Sequence, residues 1–199
     1  MRAYLQTIQP YCSVALLYGC SIAFLGLILL PQTPKTAQAQ SPPGNQVSPP
    51  TVQTSSPILI SGKPTRIVIN EYGIDLPVDE GFYDESSNSW TLSESHAQFA
   101  MMTFLANNIS GNTLIYGHGT DQVFGQLNEL KPTATTTALV YTDNNHLFSY
   151  SFQSMLDYTP EDTSIFSYSG PPILTIQTCS GPLSEWRSMF QFKFDRIVR

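Results

Sequence analysis

Charge is scarce in this 199-residue chain: Asp, Glu, Lys and Arg make up 12% of it, about half of the roughly 25% usual in soluble domains. Basic residues are the scarcest, 9 against 15 acids. Two of those bases, Arg2 and Lys35, precede Leu59, a stretch that holds no acid. The remainder is therefore strongly acidic and repels phosphate backbones, which excludes nucleic acid as an expected partner. Cysteine is equally sparse. Cys12 and Cys20 fall in an N-terminal apolar run, leaving Cys179 alone in the globular part. An intradomain disulfide is excluded there. One cysteine and scattered histidines do not supply zinc-ligand spacing, so no metal and no cofactor is expected. Asp157, Glu161 and Asp162 cluster loosely, but their spacing is not that of a calcium loop, and a solvated acidic loop is the better reading.

The most apolar stretch carries no charge. Cys12 to Leu30 is 19 residues long. As a helix rising about 1.5 Å per residue it spans roughly 28 Å, close to the hydrocarbon thickness of a bilayer. Arg2 precedes it and Pro31 ends it. Residues 1–30 therefore read as a signal anchor or signal peptide. Ala37-Gln38-Ala39 fits a small-residue cleavage site, but the length of the run favours an uncleaved single-pass anchor. The expected location is the cell membrane with the C-terminal domain outside, or secretion if the chain is cut after Ala39. Residues 31–57 are rich in Pro, Gln, Ser and Thr, without apolar periodicity, and read as an extended tether.

From Ile58 to Arg199 short apolar segments alternate with turn residues, the pattern of an all-β domain. Ile67-Val68-Ile69, Ile74 to Val78, Leu114-Ile115-Tyr116, Leu139-Val140-Tyr141, Leu147 to Phe152 and Ile173 to Thr178 read as strands. Asp143-Asn144-Asn145 reads as a hairpin turn. Phe190, Phe192 and Phe194 alternate with polar residues, a half-buried strand by period. Two helical pieces are expected. Ser93 to Leu105 opens on a capping-box pattern, Ser95 with Gln98. Asp121 to Leu130 spaces Phe124, Leu127 and Leu130 at three and has Asp121 as its cap. Many short strands with few helices point to a barrel.

The chemistry gathers around three residues. Cys179 ends the strand-like run Leu174 to Thr178 and precedes Ser180-Gly181-Pro182. By itself it is better read as a small buried residue. As a nucleophile it needs a basic partner or a lowered pKa. Of His96, His118 and His146, only His118 follows a strand and sits between glycines, in Gly117-His118-Gly119. His96, on the expected first helix, and His146, in the hairpin turn, have plain surface readings. Arg187 follows Cys179 by eight residues. Its planar donor fork suits a developing oxyanion, although a surface pairing with Glu185 is the simpler alternative.

Thr175-Ile176-Gln177-Thr178-Cys179 resembles the Thr-Leu-x-Thr-Cys signature of sortases, with Arg187 where sortases place their arginine. Leu114 to Leu127 resembles their strand, catalytic histidine and Phe-x-x-Leu segment, through His118, Phe124 and Leu127. Pro64 to Val78 is similar to their first barrel strands, and Trp90 falls in a familiar position. Ile176 replaces the usual leucine, Gly119 stands where a larger residue is common, and Lys131 to Thr137 lacks a Gly-Asp turn often seen there.

The resemblance implies an eight-stranded sortase-type β-barrel with one or two short helices, and Cys179, His118 and Arg187 as catalytic residues. It implies a substrate-binding contribution from Thr178, which is equally a plain β-branched strand residue. The implied reaction is transpeptidation. The thiolate cleaves an LPXTG-like C-terminal sorting signal of a surface protein. The thioester acyl-enzyme then passes its acyl group to an amine from the cell wall or a pilin. Two alternatives stand beside it: a cysteine peptidase or hydrolase on the same barrel, and an inactive docking module for surface proteins. His118-Gly119-Thr120 matches a fragment of the wall L,D-transpeptidases, but their Ser-His-Gly-Cys motif is missing. Trp90 and Trp186 are expected to pack rather than to touch substrate.

Overall fold

The computed structural model describes residues 56–86 and 89–199. The expected anchor or signal segment, 1–30, and nearly all of the tether, 31–57, lie outside the described residues. Among the described residues no helix is long and apolar enough to cross a membrane.

The chain enters through β1 (Ser61–Gly62), β2 (Pro64–Ile69) and β3 (Ile74–Gly81). A small hairpin follows, β4 (Tyr83–Asp84) with β5 (Ser89–Trp90), then β6 (Ala97–Ala100), β7 (Ala106–Asn107) and β8 (Asn112–Gly117). A single turn-and-a-half helix, α1 (Gly125–Leu130), precedes β9 (Thr137–Thr142), β10 (Leu147–Tyr158), β11 (Ile173–Ser180) and β12 (Trp186–Ile197). Eight of these strands close a barrel in the order β10, β12, β11, β8, β6, β3, β2, β9, and β9 returns to β10. Closure leaves no unpaired sheet edge in the barrel wall.

Period-two alternation decides which side chains fill it. Ile67, Ile69, Leu174, Ile176, Phe190 and Phe192 are fully buried in one core cluster. Truncating one of the phenylalanines to Ala would cost about 3–5 kcal/mol, a large part of the stability of an ordinary domain. The β9–β10 turn is the expected Asp143-Asn144-Asn145, with Asn145 left-handed at φ 66°. Asparagine tolerates that region better than most residues. Thr142 holds the turn by donating its hydroxyl to the His146 carbonyl at 3.0 Å.

The strand over Leu147 to Phe152 runs on to Tyr158, paired along its length with β12. The larger correction concerns Ser93 to Leu105, expected as a helix. There the chain bends at 94–95 and forms β6, whose four residues are all buried. Ser93 caps a turn instead, its hydroxyl accepting from the backbone N–H groups of Ser95 and His96 at 3.3 and 3.2 Å. Serine serves tight turns and helix caps by the same hydrogen bond, and the tertiary environment chose between them. The second helical expectation survives in shortened form. Residues 121–124 are turn, the N-cap is Phe124 rather than Asp121, and no side chain caps the helix.

Candidate active site

The site lies on the outside of the barrel, at one end of β8, β11 and β12. Leu174 and Ile176 point into the core, so Thr175, Gln177 and Cys179 take the opposite face. A second apolar cluster covers that face: Ala100, Leu114, Tyr116, Ile165 and Met189, with Trp90, Tyr158 and Phe166 against them. Hence the strand carrying Cys179 is buried on both sides until its last residues.

Register brings the three expected residues together. Cys179 pairs directly with Arg187 across the antiparallel β11–β12 ladder, and directly opposed residues project from the same face. On the other side β11 runs parallel to β8, with Thr178 beside Gly117. One residue further along the two chains stand Cys179 and His118. The thiol is unpaired and partly exposed. His118 is half-buried, its Nε2 3.7 Å from a carboxylate oxygen of Glu94. Arg187 donates from Nη1 to the carbonyls of Ser184 and Trp186 at 2.8 and 3.1 Å. No ion pair with Glu185 forms; that carboxylate accepts from the Leu183 N–H at 2.9 Å.

Thr178 is buried, and its hydroxyl donates to the Gly117 carbonyl at 3.0 Å. It ties the end of β11 to the residue before His118. The chain after His118 doubles back on itself: Phe124 N–H donates to the His118 carbonyl at 3.0 Å, and Gly125 N–H to that of Thr120 at 2.8 Å. Phe124 and Leu127 plug this turn into the core.

The other histidines stay apart. His96 Nδ1 lies 2.8 Å from Asp79, and His146 sits by the β9–β10 turn with its ring edge-on to Phe148. The acids scatter as well. Asp157 takes a hydrogen bond from Ser188 at 2.6 Å. Asp162 accepts from Ser164 at 2.8 Å, and its carboxyl is held below the usual range by the hydrogen bonds from Ser164.

A cleft of about 300 Å³ opens beside the thiol. Trp90, Leu92, Leu114, Tyr116 and Phe166 give it apolar walls, and Cys179 and Arg187 line it too. Trp90 stacks on Phe166, ring centroids 5.7 Å apart and nearly parallel, and meets Tyr116 edge-on at 5.3 Å. Trp90 therefore packs, as expected, and lines the cleft as well. Trp186 is exposed at the start of β12. Asn128 was not legible in advance. Its Nδ2 donates to the Cys179 carbonyl at 3.0 Å, and nothing local in Gln126-Leu127-Asn128-Glu129 announces a contact made 51 residues away.

The sortase-domain model matches residues 67–192, which is most of the barrel and all of the site. The chain belongs to the sortase family. Its fold is shared with sortase E1 of Streptomyces coelicolor, solved with a tripeptide in the active site (19% identity, TM-score 0.51, covering 69% of this chain and 90% of that one). It is shared too with sortase A of Listeria monocytogenes (15%, TM-score 0.54, 69% and 90%). Sortase C-1 of Actinomyces oris is also similar (22%, TM-score 0.53, 66% and 71%). A search of curated protein sequences returns no match.

Proposed function

We propose that this sortase is a cysteine transpeptidase acting on an LPXTG-like sorting signal, with Cys179 as nucleophile, His118 as acid and base, and Arg187 as oxyanion stabiliser. The observation that supports it most is the pairing of Cys179 with Arg187 across β11–β12, with His118 following the residue that neighbours Thr178. In support of it, Cys179 stands near the end of β11, Arg187 near the start of β12 and His118 just past β8, at the same end of three neighbouring strands. The adjacent cleft is lined by the apolar side chains of Trp90, Leu92 and Phe166, surfaces suited to the Leu and Pro side chains of such a peptide.

In this reading the Cys179 thiolate attacks the Thr carbonyl carbon of the signal. Electron density moves onto the carbonyl oxygen, where Arg187 offers N–H donors. Collapse forms the C–S bond of the thioester and breaks the C–N bond. The leaving amine takes its proton from His118. An incoming amine then replaces sulfur on the acyl carbon. The N-terminal apolar segment would hold the domain at the outer face of the cell membrane, where surface proteins and wall precursors meet.

The test is a mass-spectrometric assay of the full chain in detergent, with an LPXTG-type peptide library and hydroxylamine. A hydroxamate cut after Thr and dependent on Cys179 is the expected product. A Cys179 that resists alkylation and yields no product overturns the reading in favour of a docking module. Membrane extraction checks the anchor: a soluble protein beginning at Gln40 would replace it with a cleaved signal.

A further inference from the structure

Many of the exposed apolar side chains gather in one place. Pro57, Leu59, Phe104, Leu105 and Ile109 line a hollow of about 510 Å³ where the described chain begins. Leu59 is 61% exposed, and Phe104, Leu105 and Ile109 are exposed with it. Met101 and Met102, between β6 and β7 like Phe104 and Leu105, are exposed as well. Apolar patches left open on a folded domain mark interaction surfaces.

The segment is built to hold these side chains out. Asn107 is buried, and its amide donates to the carbonyls of Leu105 and Ser110 at 2.8 and 3.0 Å. Its side-chain oxygen accepts from the N–H groups of Ile109 and Ser110 at 2.8 and 3.0 Å. Asn108 ties the segment to the entering chain, donating to the Ile58 carbonyl at 3.0 Å and accepting from the Ile60 N–H at 2.9 Å. The Phe104 ring lies over Gly111, whose φ is 87°, in the space a side chain at 111 would need. Two asparagine side chains thus pair the backbone groups that would oppose transfer out of water.

Charge and connectivity say what covers the patch. From Ala97 to Thr120 there is no Asp, Glu, Lys or Arg, and none stands from Ser56 to Gly62. In a domain that is acidic overall, a face without charge approaches an anionic lipid surface with the least repulsion. The chain that reaches the patch at Ser56 comes from the apolar run Cys12 to Leu30. A contact too weak to hold lipid alone is occupied once a tether raises its local concentration.

We infer that this face docks on the lipid bilayer, with Leu59, Phe104, Leu105 and Ile109 in the interfacial layer. The inference rests on the signal-anchor reading above. Strand β8 starts three residues after Ile109 and ends one residue before His118. At about 3.3 Å per residue it places the catalytic rim up to roughly 20 Å from the docked face. Docking therefore gives the site a set height above the lipid.

The test is tryptophan quenching in full-length protein, reconstituted in vesicles of phosphatidylethanolamine and phosphatidylglycerol with or without lipids brominated on their acyl chains. Leu105→Trp reports on the patch. Leu183→Trp, 88% exposed between β11 and β12, is the control, and the parent emission from Trp90 and Trp186 is subtracted. An interfacial apolar face sits about 5–10 Å into the headgroup–acyl boundary, so brominated lipid should cut the added emission at 105 about twofold or more and that at 183 much less. Adding Ile109→Glu should bring the 105 signal to the control level, because a charge resists entry into lipid. Flotation with the vesicles reports the anchor. Floating protein with equal quenching at 105 and 183 would overturn docking and leave the anchor standing. A blue-shifted 105 emission that brominated lipid does not quench, and that needs a high protein-to-lipid ratio, would give the face to a second copy of the chain instead. Protein that fails to float would overturn both.

Discussion

A methyl group added at Gly119 would lie 2.5 Å from the carbonyl oxygen of Cys179. Backbone meets backbone there, so no side-chain rotation relieves the contact. The absence of a side chain at 119 lets the loop after His118 press against the end of β11. Gly119→Ala should therefore displace the thiol from the imidazole. Because a misplacement of about 1 Å can cost a hundredfold in rate, kcat/KM should fall by about ten- to a hundredfold. Thermal denaturation should register a loss of only about 1–3 kcal/mol, as for a local overpacking. Unchanged kinetics would show that the loop can retreat without disturbing the site.

The carbonyl that Gly119 abuts is also the one Asn128 holds at 3.0 Å. Asn128→Ala removes the hydrogen bond that α1 gives it. A loss of about 1 kcal/mol in stability is expected, with a fall in kcat larger than any change in donor KM. Asn128→Asp, which exchanges the amide donor for an acceptor facing a carbonyl, should be worse than Ala. Rescue by Asp would contradict the hydrogen-bond geometry.

Thr178 offers a separate check on the register. Thr178→Val keeps shape and β-branching but removes the donor to the Gly117 carbonyl. A buried hydrogen bond lost from one side costs about 1–3 kcal/mol, readable in urea denaturation. Thr178→Ser should retain most of the bond. If Val and Thr prove equally stable and active, the hydroxyl contributes nothing and Thr178 is only a strand residue.

Much of this was legible because it is local. The Phe190, Phe192 and Phe194 alternation is a property of one strand, and it appears as β12. The run ending in Thr178-Cys179 announces a strand terminus, and β11 ends one residue later. Gly119 was visible as a departure from its relatives, but its reason is a contact with a residue 60 positions on. Ser93 to Leu105 failed for the complementary reason: its cap residues suit turn and helix alike, and only pairing with β3 and β8 made β6 a strand. Asn128 and the stacked Trp90–Phe166 pair depend on which loops meet outside the barrel, which no spacing rule carries.

That stacked pair should govern donor affinity. Trp90→Ala removes one wall of the apolar cleft and the ring on which Phe166 rests. If the cleft holds the donor peptide as proposed, donor KM should rise about tenfold or more with a smaller change in kcat, the pattern for a contact made equally in ground and transition states. A kcat effect with unchanged KM would place Trp90 in the chemistry instead.

Alkaline pH should loosen the fold through two tyrosines. Burial pushes the Tyr150 phenol far above its ordinary value near 10, and burial also raises Tyr116, partly opposed by the hydrogen bond with Thr91. Both folded-state values exceed the unfolded one. Between them the native state holds the proton and the unfolded state does not, so unfolding releases protons and stability falls as pH rises. The contribution is whole below pH of about 10 and declines above it. Urea denaturation midpoints measured from pH 8 to 11.5 should be level at first and then drop. Tyr150→Phe, which keeps the ring and removes the titrating group, should flatten most of that drop. A Phe variant whose midpoint falls as steeply as the parent's would place the alkaline instability in some other group.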